Sequence, residues 1–245
     1  MSHEKFNLVL QSSRMVTPRV RQLGFVREDG QPLEYVSGQF ITLHLPYEDM
    51  VLRRSYSIAT RHGSGEDEIR IAATYVPDGR ATKLLYAMEP GEKVEATGPF
   101  GRFVLREDPP ARYILVATGT GVSPYRAMLP HLRERLDGTN YSAVLLLGVR
   151  GPDELLFGED FLEFSKGQAG FEFTACYSRQ MPEIPGAHEK SGYVQRALAE
   201  MDVDPERDIV YLCGNPDMID AAVSDLKEKG FQNPRLRREK YVSSN

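Results

Sequence analysis

The sequence predicts two domains, an antiparallel β-barrel followed by a doubly wound parallel sheet with helices. The chain has 245 residues, which is enough for two domains of ordinary size. Its first half contains short stretches of alternating apolar residues separated by Gly and Pro, a pattern typical of small antiparallel barrels. Its second half alternates continuous apolar runs with helical patterns, which indicates parallel strands joined by helices. The pattern changes after Asp108-Pro109-Pro110, so the predicted domains are residues 1–108 and 109–245.

Five strands and one helix are predicted in the first half. Apolar and polar residues alternate at the period of a half-buried strand over 20–26 and 39–45. Further short strands are predicted over 55–60, 68–76 and 93–97. A helix is predicted over 81–88, because Leu84, Leu85 and Met88 fall on one helical face. The segment Gly98-Pro99-Phe100-Gly101 is expected to form a turn, since Gly and Pro interrupt regular structure.

The second half contains four predicted strands, each followed by a predicted helix. The run over 113–117 is apolar almost throughout, as expected for a strand buried on both faces. Further strands are predicted over 143–149, 171–177 and 209–213, and the helices over 123–136, 160–166, 193–201 and 216–229. Because parallel strands need crossover connections, this alternation predicts a parallel, doubly wound sheet.

Composition excludes several classes of function. A formal net charge of −5 disfavours nucleic acid as a partner, because phosphate backbones attract basic surfaces. No run reaches the roughly 18 apolar residues of a membrane span, and no signal peptide is visible. We therefore expect a soluble cytoplasmic protein without membrane contact, and a monomer. The cysteines, Cys176 and Cys213, are too few for a disulfide framework or an iron–sulfur cluster, and no metal site is predicted.

A nucleotide loop is predicted where the first parallel strand meets its helix. Gly119-Thr120-Gly121 follows the buried strand directly, and Pro124 lies in the first helical turn. Glycines allow a tight turn and bring backbone amides close to a pyrophosphate, which the positive end of a helix also attracts. Pro124 stands in place of a third glycine, so this is not the common dinucleotide fingerprint, and any strand-to-helix turn can use Gly.

A second ligand is indicated by polar residues of the first half. Arg54 offers a guanidinium to a phosphate, and Tyr56 offers a flat face to a ring. Further along, Gly79-Arg80-Ala81-Thr82 opens the predicted helix, which makes a second potential anion site. Each feature also has a simple structural explanation, since strand arginines are commonly solvated, tyrosines commonly pack, and Thr82 suits a helix N-cap.

Together these segments resemble the ferredoxin–NADP reductase superfamily, from about residue 20 to the C-terminus. Arg54-Ser55-Tyr56-Ser57 is similar to the family's Arg-x-Tyr-Ser motif, which implies that Arg54 contacts the FAD pyrophosphate and Tyr56 packs on the isoalloxazine. The segment 79–82 is similar to the one that binds the flavin phosphates. The FAD site implied by the resemblance consists of Arg54, Ser55, Tyr56, Ser57, Ala72, Thr74, Gly79, Arg80, Ala81, Thr82, Thr120 and Tyr241.

The resemblance also implies a nicotinamide site in the second half. The segment 119–124 is similar to the family's Gly-Thr-Gly-x-x-Pro, and 213–216 is similar to its Cys-Gly-x-Pro segment. Arg150 and Ser178-Arg179 each follow a predicted strand, where cations for a 2′-phosphate are expected, and they indicate NADP(H) rather than NAD(H). The implied NADP(H) site consists of Gly119, Thr120, Gly121, Arg150, Ser178, Arg179, Cys213, Gly214, Asn215 and Asp217.

Four catalytic residues follow from the resemblance, namely Ser57, Cys213, Glu239 and Tyr241. Ser57 is expected near the flavin N5, and Glu239-Lys240-Tyr241 resembles the Glu-x-Tyr ending of plant-type members. There the aromatic residue covers the flavin face, and the acid positions the nicotinamide or relays protons. This chain differs by continuing with Val242-Ser243-Ser244-Asn245, which leaves an ordinary edge-strand tyrosine as the alternative for Tyr241.

The implied function is that of a ferredoxin–NADP or flavodoxin–NADP reductase. FAD would mediate hydride and electron transfer between NADPH and a separate one-electron carrier, ferredoxin or flavodoxin. One alternative is an NADH-dependent reductase component of an oxygenase or of a small-molecule reductase system. Another is an electron-transfer subunit that works only within a complex, and a third is a nucleotide-binding module without catalysis.

Overall fold

The computed structural model describes residues 5–61, 63, 68–106 and 112–241 of the chain. The chain forms two compact units. Among the described residues, the first contains the chain up to Leu105 together with Ser123–Pro130, and the second contains Arg106–Val122 and residues 131–241. The predicted boundary between residues 108 and 109 lies outside the described residues and stays a prediction. In the described part of the chain, no helix combines the length and hydropathy needed to cross a membrane.

The first unit is built on a six-stranded antiparallel sheet. Its strands lie in the order β4-β3-β6-β1-β2-β5, and they are β1 (Lys5–Thr17), β2 (Val20–Arg27), β3 (Phe40–Tyr47), β4 (Met50–Ser57), β5 (Ile69–Thr74) and β6 (Lys93–Phe100). Just after β4, Ala59 N donates to Arg70 O at 2.7 Å. Thr60 Oγ1 likewise donates to Glu68 O at 2.7 Å. These bonds join the two edges of the sheet, which confirms the predicted antiparallel barrel.

Strand β1 and the end of β6 differ from the sequence predictions. β1 was not predicted, because its second half is largely polar and exposed. It nevertheless pairs with β2 on one side and β6 on the other. The segment expected to turn at 98–101 continues β6 as far as Phe100, which pairs with Phe40. Backbone pairing, which needs no apolar side chain, explains both differences.

The core of the first unit lies inside this sheet. Inward-facing residues of the strands are fully buried, and the helix α1 (Arg80–Ala87) adds Leu85 to them. The fully buried members of this core are Leu8, Leu10, Leu23, Phe25, Ile41, Leu43, Ile58, Ile71, Ala73, Leu85 and Ala96. Burial of one apolar face per strand fixes the strand register, because a slip of one residue would expose that whole face.

The second unit is built on a six-stranded parallel sheet, as predicted. Its strands lie in the order β10-β9-β8-β7-β11-β12, and they are β7 (Arg112–Thr118), β8 (Ser142–Val149), β9 (Phe171–Tyr177), β10 (Glu189–Ser191), β11 (Asp208–Gly214) and β12 (Leu236–Lys240). The four helices described in this half of the chain are α2 (Ser123–Leu136) after β7, α3 (Gly158–Gly167) after β8, α4 (Val194–Ala199) after β10 and α5 (Pro216–Glu228) after β11. The edge strands β10 and β12 were not predicted.

The strand order of this sheet reverses between β7 and β11. The chain moves from β7 to β8 on one side, and later returns to place β11 on the other side. In open parallel sheets, ligands bind beyond the carboxyl ends of the strands at such a reversal. Thr118 and Gly214 are the last residues of β7 and β11. The topology alone therefore points to the loops that follow these two residues.

A buried ion pair joins the amino ends of β7 and β11. Arg112 Nε donates to Asp208 Oδ1 at 3.0 Å, and Arg112 Nη2 donates to Asp208 Oδ2 at 2.5 Å. The Asp208 side chain is 3% exposed. Its Oδ2 also accepts a hydrogen bond from Asp204 N at 2.8 Å. Hydrogen bonding to this carboxylate raises the pKa of Arg112.

We predict that Asp208→Ala lowers the free energy of unfolding by about 3 kcal/mol, because it leaves a partly buried guanidinium without its carboxylate partner. Of the guanidinium's bonds to described residues, only the one from Arg112 Nη2 to Asp202 O, at 2.6 Å, would remain. Urea denaturation followed by circular dichroism measures the change. Glu28→Ala is the matched control, since it breaks an ion pair with Lys93 whose side chains are 40% and 57% exposed. The control midpoint should stay near that of the wild type. Equal shifts for the two variants would contradict the assigned importance of the buried pair.

Candidate functional site

The segment Arg54-Ser55-Tyr56-Ser57 occupies the end of β4, and its side chains alternate between two faces. Arg54 and Tyr56 share one face, and the Tyr56 ring packs against the barrel core. Burial raises the pKa of Tyr56 to about 12, although the Arg54 charge acts in the opposite direction. The phenol therefore stays protonated at neutral pH. Arg54 and Tyr56 together present a cation and an aromatic ring on one surface.

The two serines of this segment lie on the other face of β4. Ser55 is exposed, and its Oγ lies 2.9 Å from Thr42 Oγ1 on β3. Ser57 is only 6% exposed. The structure thus separates Ser55 from the Arg54 and Tyr56 side chains, with which the sequence grouped it.

Ala72 and Thr74, on β5, were also assigned to FAD. They lie on the same face of this strand, opposite the side chains that enter the core. Ala72 is buried and Thr74 is half-buried. Neither position offers a charged group, so only small-side-chain packing or the Thr74 hydroxyl is available to a ligand there.

The first turn of α1 has backbone N–H groups that no described residue accepts from. Gly79 is the N-cap, with φ −66° and ψ 116°, and no side chain in the described part of the chain caps it. The N–H groups of Arg80, Ala81 and Thr82 have no hydrogen-bond acceptor among the described residues. The turn also contains no acidic residue. Unpaired amides at the positive end of a helix fit an anionic phosphate group.

The side chains of this turn do not act as helix caps. Thr82 Oγ1 lies 3.0 Å from Gly79 O and 3.2 Å from Val76 O, to which it donates. Thr82 is therefore the third helical residue, and the alternative that it is the N-cap is wrong. The Arg80 guanidinium lies 5.5 Å from the centre of the Tyr47 ring. The backbone amide of Arg80, rather than its guanidinium, is the group at the start of the helix axis.

The predicted nucleotide loop, Gly119–Val122, forms a single 3-10 turn between β7 and α2. Its two glycines are required for different reasons. Gly119 has φ +53°, and a Cβ built there would meet nothing within 4 Å in the described part of the chain. A Cβ on Gly121 would lie 2.4 Å from Cys213 O. Gly119 permits the backbone turn, whereas Gly121 permits close packing of the loop against the end of β11.

Thr118 links the two loops at the strand reversal, and sequence reasoning missed it. Asn215 N donates to Thr118 Oγ1 at 2.9 Å. A Cβ on Gly214, which has φ +122°, would lie 2.5 Å from the same oxygen. Asn215 Oδ1 then caps α5 by accepting bonds from Asp217 N at 2.8 Å and Met218 N at 3.1 Å. A hydroxyl at the end of an apolar strand was the signal that could have revealed Thr118.

Cys213, Glu239 and Tyr241 come together at the ends of β11 and β12. Cys213 pairs with Glu239 in the parallel register, and Tyr241 N donates to Gly214 O at 2.8 Å. The thiol is fully buried and shares a side-chain hydrogen bond with Tyr241. Burial and then the Glu239 charge raise the pKa of Cys213 well above its usual value. The thiol is therefore protonated and cannot act as a thiolate at neutral pH.

The four predicted catalytic residues are divided between the two units. Ser57 belongs to the first unit, whereas Cys213, Glu239 and Tyr241 belong to the second. The expected role of residues 242–245 lies outside the described residues.

Arg150 and Arg179 follow β8 and β9 at the same edge of the sheet. Backbone bonds hold their loops together, since Ser178 N donates to Val149 O at 2.9 Å and Arg179 N donates to Arg150 O at 3.0 Å. Both arginines are exposed. Two guanidinium groups on adjoining loops fit a phosphate group that carries up to two negative charges.

Tyr193 is a further candidate that sequence reasoning missed. Gly192 N donates to Tyr177 O at 2.8 Å, which places Tyr193 just beyond the carboxyl end of β10, the neighbour of β9. The Tyr193 side chain is 66% exposed, an unusual degree for a large aromatic residue. It offers a ring face close to the loop of Ser178 and Arg179. Its position after Ser191-Gly192, at the start of a predicted helix, was the available signal.

Comparison with known families assigns a type of domain to each half of the chain. Residues 7–105 match the family described as the oxidoreductase FAD-binding domain. Residues 115–224 match the family described as the oxidoreductase NAD-binding domain. The first match begins within β1, so the resemblance starts earlier than the expected position near residue 20.

Two relatives of this chain are named as reductases, and they belong to different electron-transfer systems. Ferredoxin–NADP reductase B of Sorangium cellulosum is 33% identical over 233 residues, covering 92% of this chain and 91% of that protein. The reductase component of propane 2-monooxygenase from Rhodococcus jostii is 29% identical over 213 residues, covering 86% of this chain and 56% of that protein.

Two solved structures share the fold. A cytochrome P450 reductase from Amycolatopsis superposes with a TM-score of 0.85 at 26% identity, covering 99% of this chain and 72% of that one. A ferredoxin NADP+ reductase from Neisseria gonorrhoeae, with bound FAD and NADP, superposes with a TM-score of 0.79 at 21% identity, covering 96% and 98%.

We predict that Gly121→Ala and Gly119→Ala differ strongly in their effects. In Gly121→Ala, the added methyl group would lie 2.4 Å from the backbone oxygen of Cys213, so the loop and the end of β11 must separate. In Gly119→Ala, the added methyl group meets no described atom within 4 Å. This substitution should lower the free energy of unfolding only by the cost of a left-handed backbone, about 1–2 kcal/mol. Gly121→Ala should therefore weaken NADP+ binding more, as measured by difference absorbance titration. Equal affinities in the two variants would show that the loop packing is unimportant.

Proposed function

The chain belongs to the ferredoxin–NADP reductase superfamily and is an oxidoreductase that uses FAD and a nicotinamide dinucleotide, and from this premise we propose that it transfers electrons between NADPH and a separate one-electron carrier protein, ferredoxin or flavodoxin. The observation that carries this proposal is the pair Arg150 and Arg179 on adjoining loops of the parallel sheet. A 2′-phosphate, which distinguishes NADPH from NADH, requires cations of this kind.

The donor set of the first unit fits FAD. The amides of Arg80, Ala81 and Thr82 would bind the pyrophosphate, and the Arg54 guanidinium would add a positive charge to the same group. Tyr56 would pack on the isoalloxazine with its neutral phenol. When bound, FAD supplies the redox chemistry by accepting a hydride from the nicotinamide and passing electrons on singly.

In the second unit, we assign the binding of NADPH to the carboxyl-end loops of the sheet. The amides of Gly119–Val122 would face the pyrophosphate, and Arg150 and Arg179 the 2′-phosphate. Tyr193 would stack on the adenine. Holding the dinucleotide at several points fixes the nicotinamide position, and such positioning can lower a barrier by several kcal/mol.

Cys213, Glu239 and Tyr241 would orient the nicotinamide at the reacting centre. The Cys213 thiol keeps its proton, so it offers a small neutral surface and a weak donor rather than a nucleophile. Tyr241 is fixed through its backbone bond to Gly214 and its side-chain bond to Cys213. We propose that its ring covers the flavin until the nicotinamide replaces it.

The carrier is proposed from the relatives together with the composition. The Sorangium protein, which this chain spans over 91% of its length, is named a ferredoxin–NADP reductase. The two cysteines of this sequence are too few to hold an iron–sulfur cluster, so the carrier we propose lies outside these residues. We further propose a cytoplasmic location and a monomeric state.

A second candidate function is supported by the relative from Rhodococcus jostii. That protein is named as the reductase component of propane 2-monooxygenase, and this chain spans 56% of its length. Under this candidate the carrier would be a component of an oxygenase system, and NADH would be the donor.

Anaerobic reduction of the purified yellow protein tests the proposal. NADPH should bleach the flavin absorbance much faster than NADH at equal concentration, because only NADPH engages the two arginines. Oxidised ferredoxin and flavodoxin are then added separately, and at least one of them should restore the flavin absorbance. A protein that cannot be reconstituted with FAD would contradict the proposal, and faster reduction by NADH would favour the oxygenase component.

We predict that Arg179→Ala lowers the ratio of kcat/KM for NADPH to that for NADH by about tenfold or more, since a charge-assisted hydrogen bond contributes about 1.5–3 kcal/mol. The kcat/KM for NADH should change little. Arg196→Ala is the control, because that exposed arginine of α4 is paired with Glu200 Oε1 at 3.1 Å. An unchanged ratio in Arg179→Ala would refute the assignment of the 2′-phosphate to this loop.

A further inference from the structure

Arg21, a residue of β2, is bonded to the far end of α1. Its Nη1 lies 3.0 Å from Leu85 O and 2.5 Å from Tyr86 O, and its Nη2 lies 2.9 Å from Met88 O. Nη2 also donates to Ser13 Oγ at 2.7 Å. One guanidinium therefore satisfies three carbonyl groups at the carboxyl end of the helix and is itself fixed by a strand serine.

The carboxyl end of α1 depends on this external cation. Its last turn contains no basic residue, and the C-cap Met88 has extended backbone (φ −60°, ψ 135°) rather than the left-handed glycine of common helix ends. Carbonyl groups in the last turn of a helix have no partner inside it. A cation there also interacts favourably with the helix dipole. Arg21 supplies both the missing donors and the charge.

The opposite end of the same helix carries the amides of Arg80, Ala81 and Thr82 that fit a phosphate. A helix of this length is not stable by itself in water. Its direction must therefore be set by contacts with the barrel. Apart from the buried face that includes Leu85, these contacts include the Arg21 bonds and the Tyr86 hydroxyl, which lies 2.8 Å from Arg19 O and 3.1 Å from Ala73 O. At the other end of the helix, the Arg80 guanidinium lies over the Tyr47 ring.

We propose that Arg21 is a positioning residue for the flavin phosphate site. Arg21 does not itself contact the phosphate. It holds the carboxyl end of α1 against the barrel, and the amides at the amino end of the helix keep their direction as a result. The inference rests on the proposed assignment of the FAD pyrophosphate to the first turn of α1.

Two variants of Arg80 test that assignment separately. Arg80→Ala removes the side chain but keeps the N–H, whereas Arg80→Pro removes both. Proline is well tolerated at the first helical position, and Gly79 already has the extended backbone that a residue before proline adopts. If the amide binds the phosphate, the Kd of the apoprotein for FAD should be about tenfold higher in Arg80→Pro than in Arg80→Ala.

Arg21→Met removes the cation and its donors while keeping a long side chain. We expect it to raise the Kd for FAD about tenfold, with Arg21→Lys, which keeps the charge, between it and the wild type. Arg14→Met is the control. Arg14 lies on β1 of the same sheet and donates to Gln22 Oε1 at 3.0 Å, away from α1. The control should bind FAD like the wild type.

Combining the substitutions separates positioning from a general loss of stability. If Arg21 acts through the amide, Arg21→Met should weaken FAD binding clearly less in the Arg80→Pro protein than in the Arg80→Ala protein. Additive effects, or an Arg21→Met protein that binds FAD like the wild type, would overturn the role of Arg21. Equal FAD affinities of Arg80→Ala and Arg80→Pro would instead overturn the phosphate assignment on which it rests. If Arg21→Met does not fold, Arg21→Lys in the same two backgrounds gives the same comparison.

Discussion

Hydrogen bonding between strands is the constraint on which both units depend. In the first unit, the antiparallel ladder holds the partly polar β1 between β6 and β2, and bonds from Ala59 and Thr60 join the two edge strands. In the second unit, the parallel ladder brings the carboxyl ends of all strands to one edge of the sheet. Backbone N–H and C=O groups beyond the last hydrogen bond between two strands need hydrogen-bond partners outside the sheet. The loops at this edge are therefore suited to bind phosphates.

The sequence predicted those strands and helices whose apolar pattern is also their burial pattern. β7, β8 and β11 are inner strands covered on both faces, so their near-continuous apolar runs were visible in the sequence. The inner strand β9 has an exposed Glu172, and its alternating Phe171, Phe173 and Ala175 were visible instead. The edge strand β12 has the sequence Leu-Arg-Arg-Glu-Lys, and β10 has three polar residues. Such strands form because a neighbouring strand provides backbone hydrogen-bond partners. Which strand is the neighbour depends on the tertiary structure, and a local sequence pattern does not contain this information.

The candidate site was predictable where motif residues stand at strand ends, and less so where a role depends on a distant partner. Gly121 was assigned to pyrophosphate binding, but the structure adds a packing reason through Cys213 O. Thr118 was missed because its bond to Asn215 joins segments 97 positions apart. Arg21 was missed for the same reason, since its carbonyl partners on α1 lie more than 60 positions further along the chain. Spacing in the sequence reveals loops, whereas the residues that hold loops in place are visible only in the fold.

Charge is distributed unequally between the phosphate sites and the residues assigned to the reacting centre. Arg150 and Arg179 are exposed cations, which suits the recognition of phosphates at the surface. Tyr56 and Cys213, in contrast, have pKa values raised mainly by burial and stay protonated at neutral pH. A phenolate or thiolate would repel the negative charge that a hydride transfer delivers. Because Glu239 raises the pKa of Cys213 further, these neighbours do not ionise together. The exposed arginines therefore suit phosphates, whereas burial keeps Tyr56 and Cys213 neutral, and the charge of Glu239 lies next to Cys213.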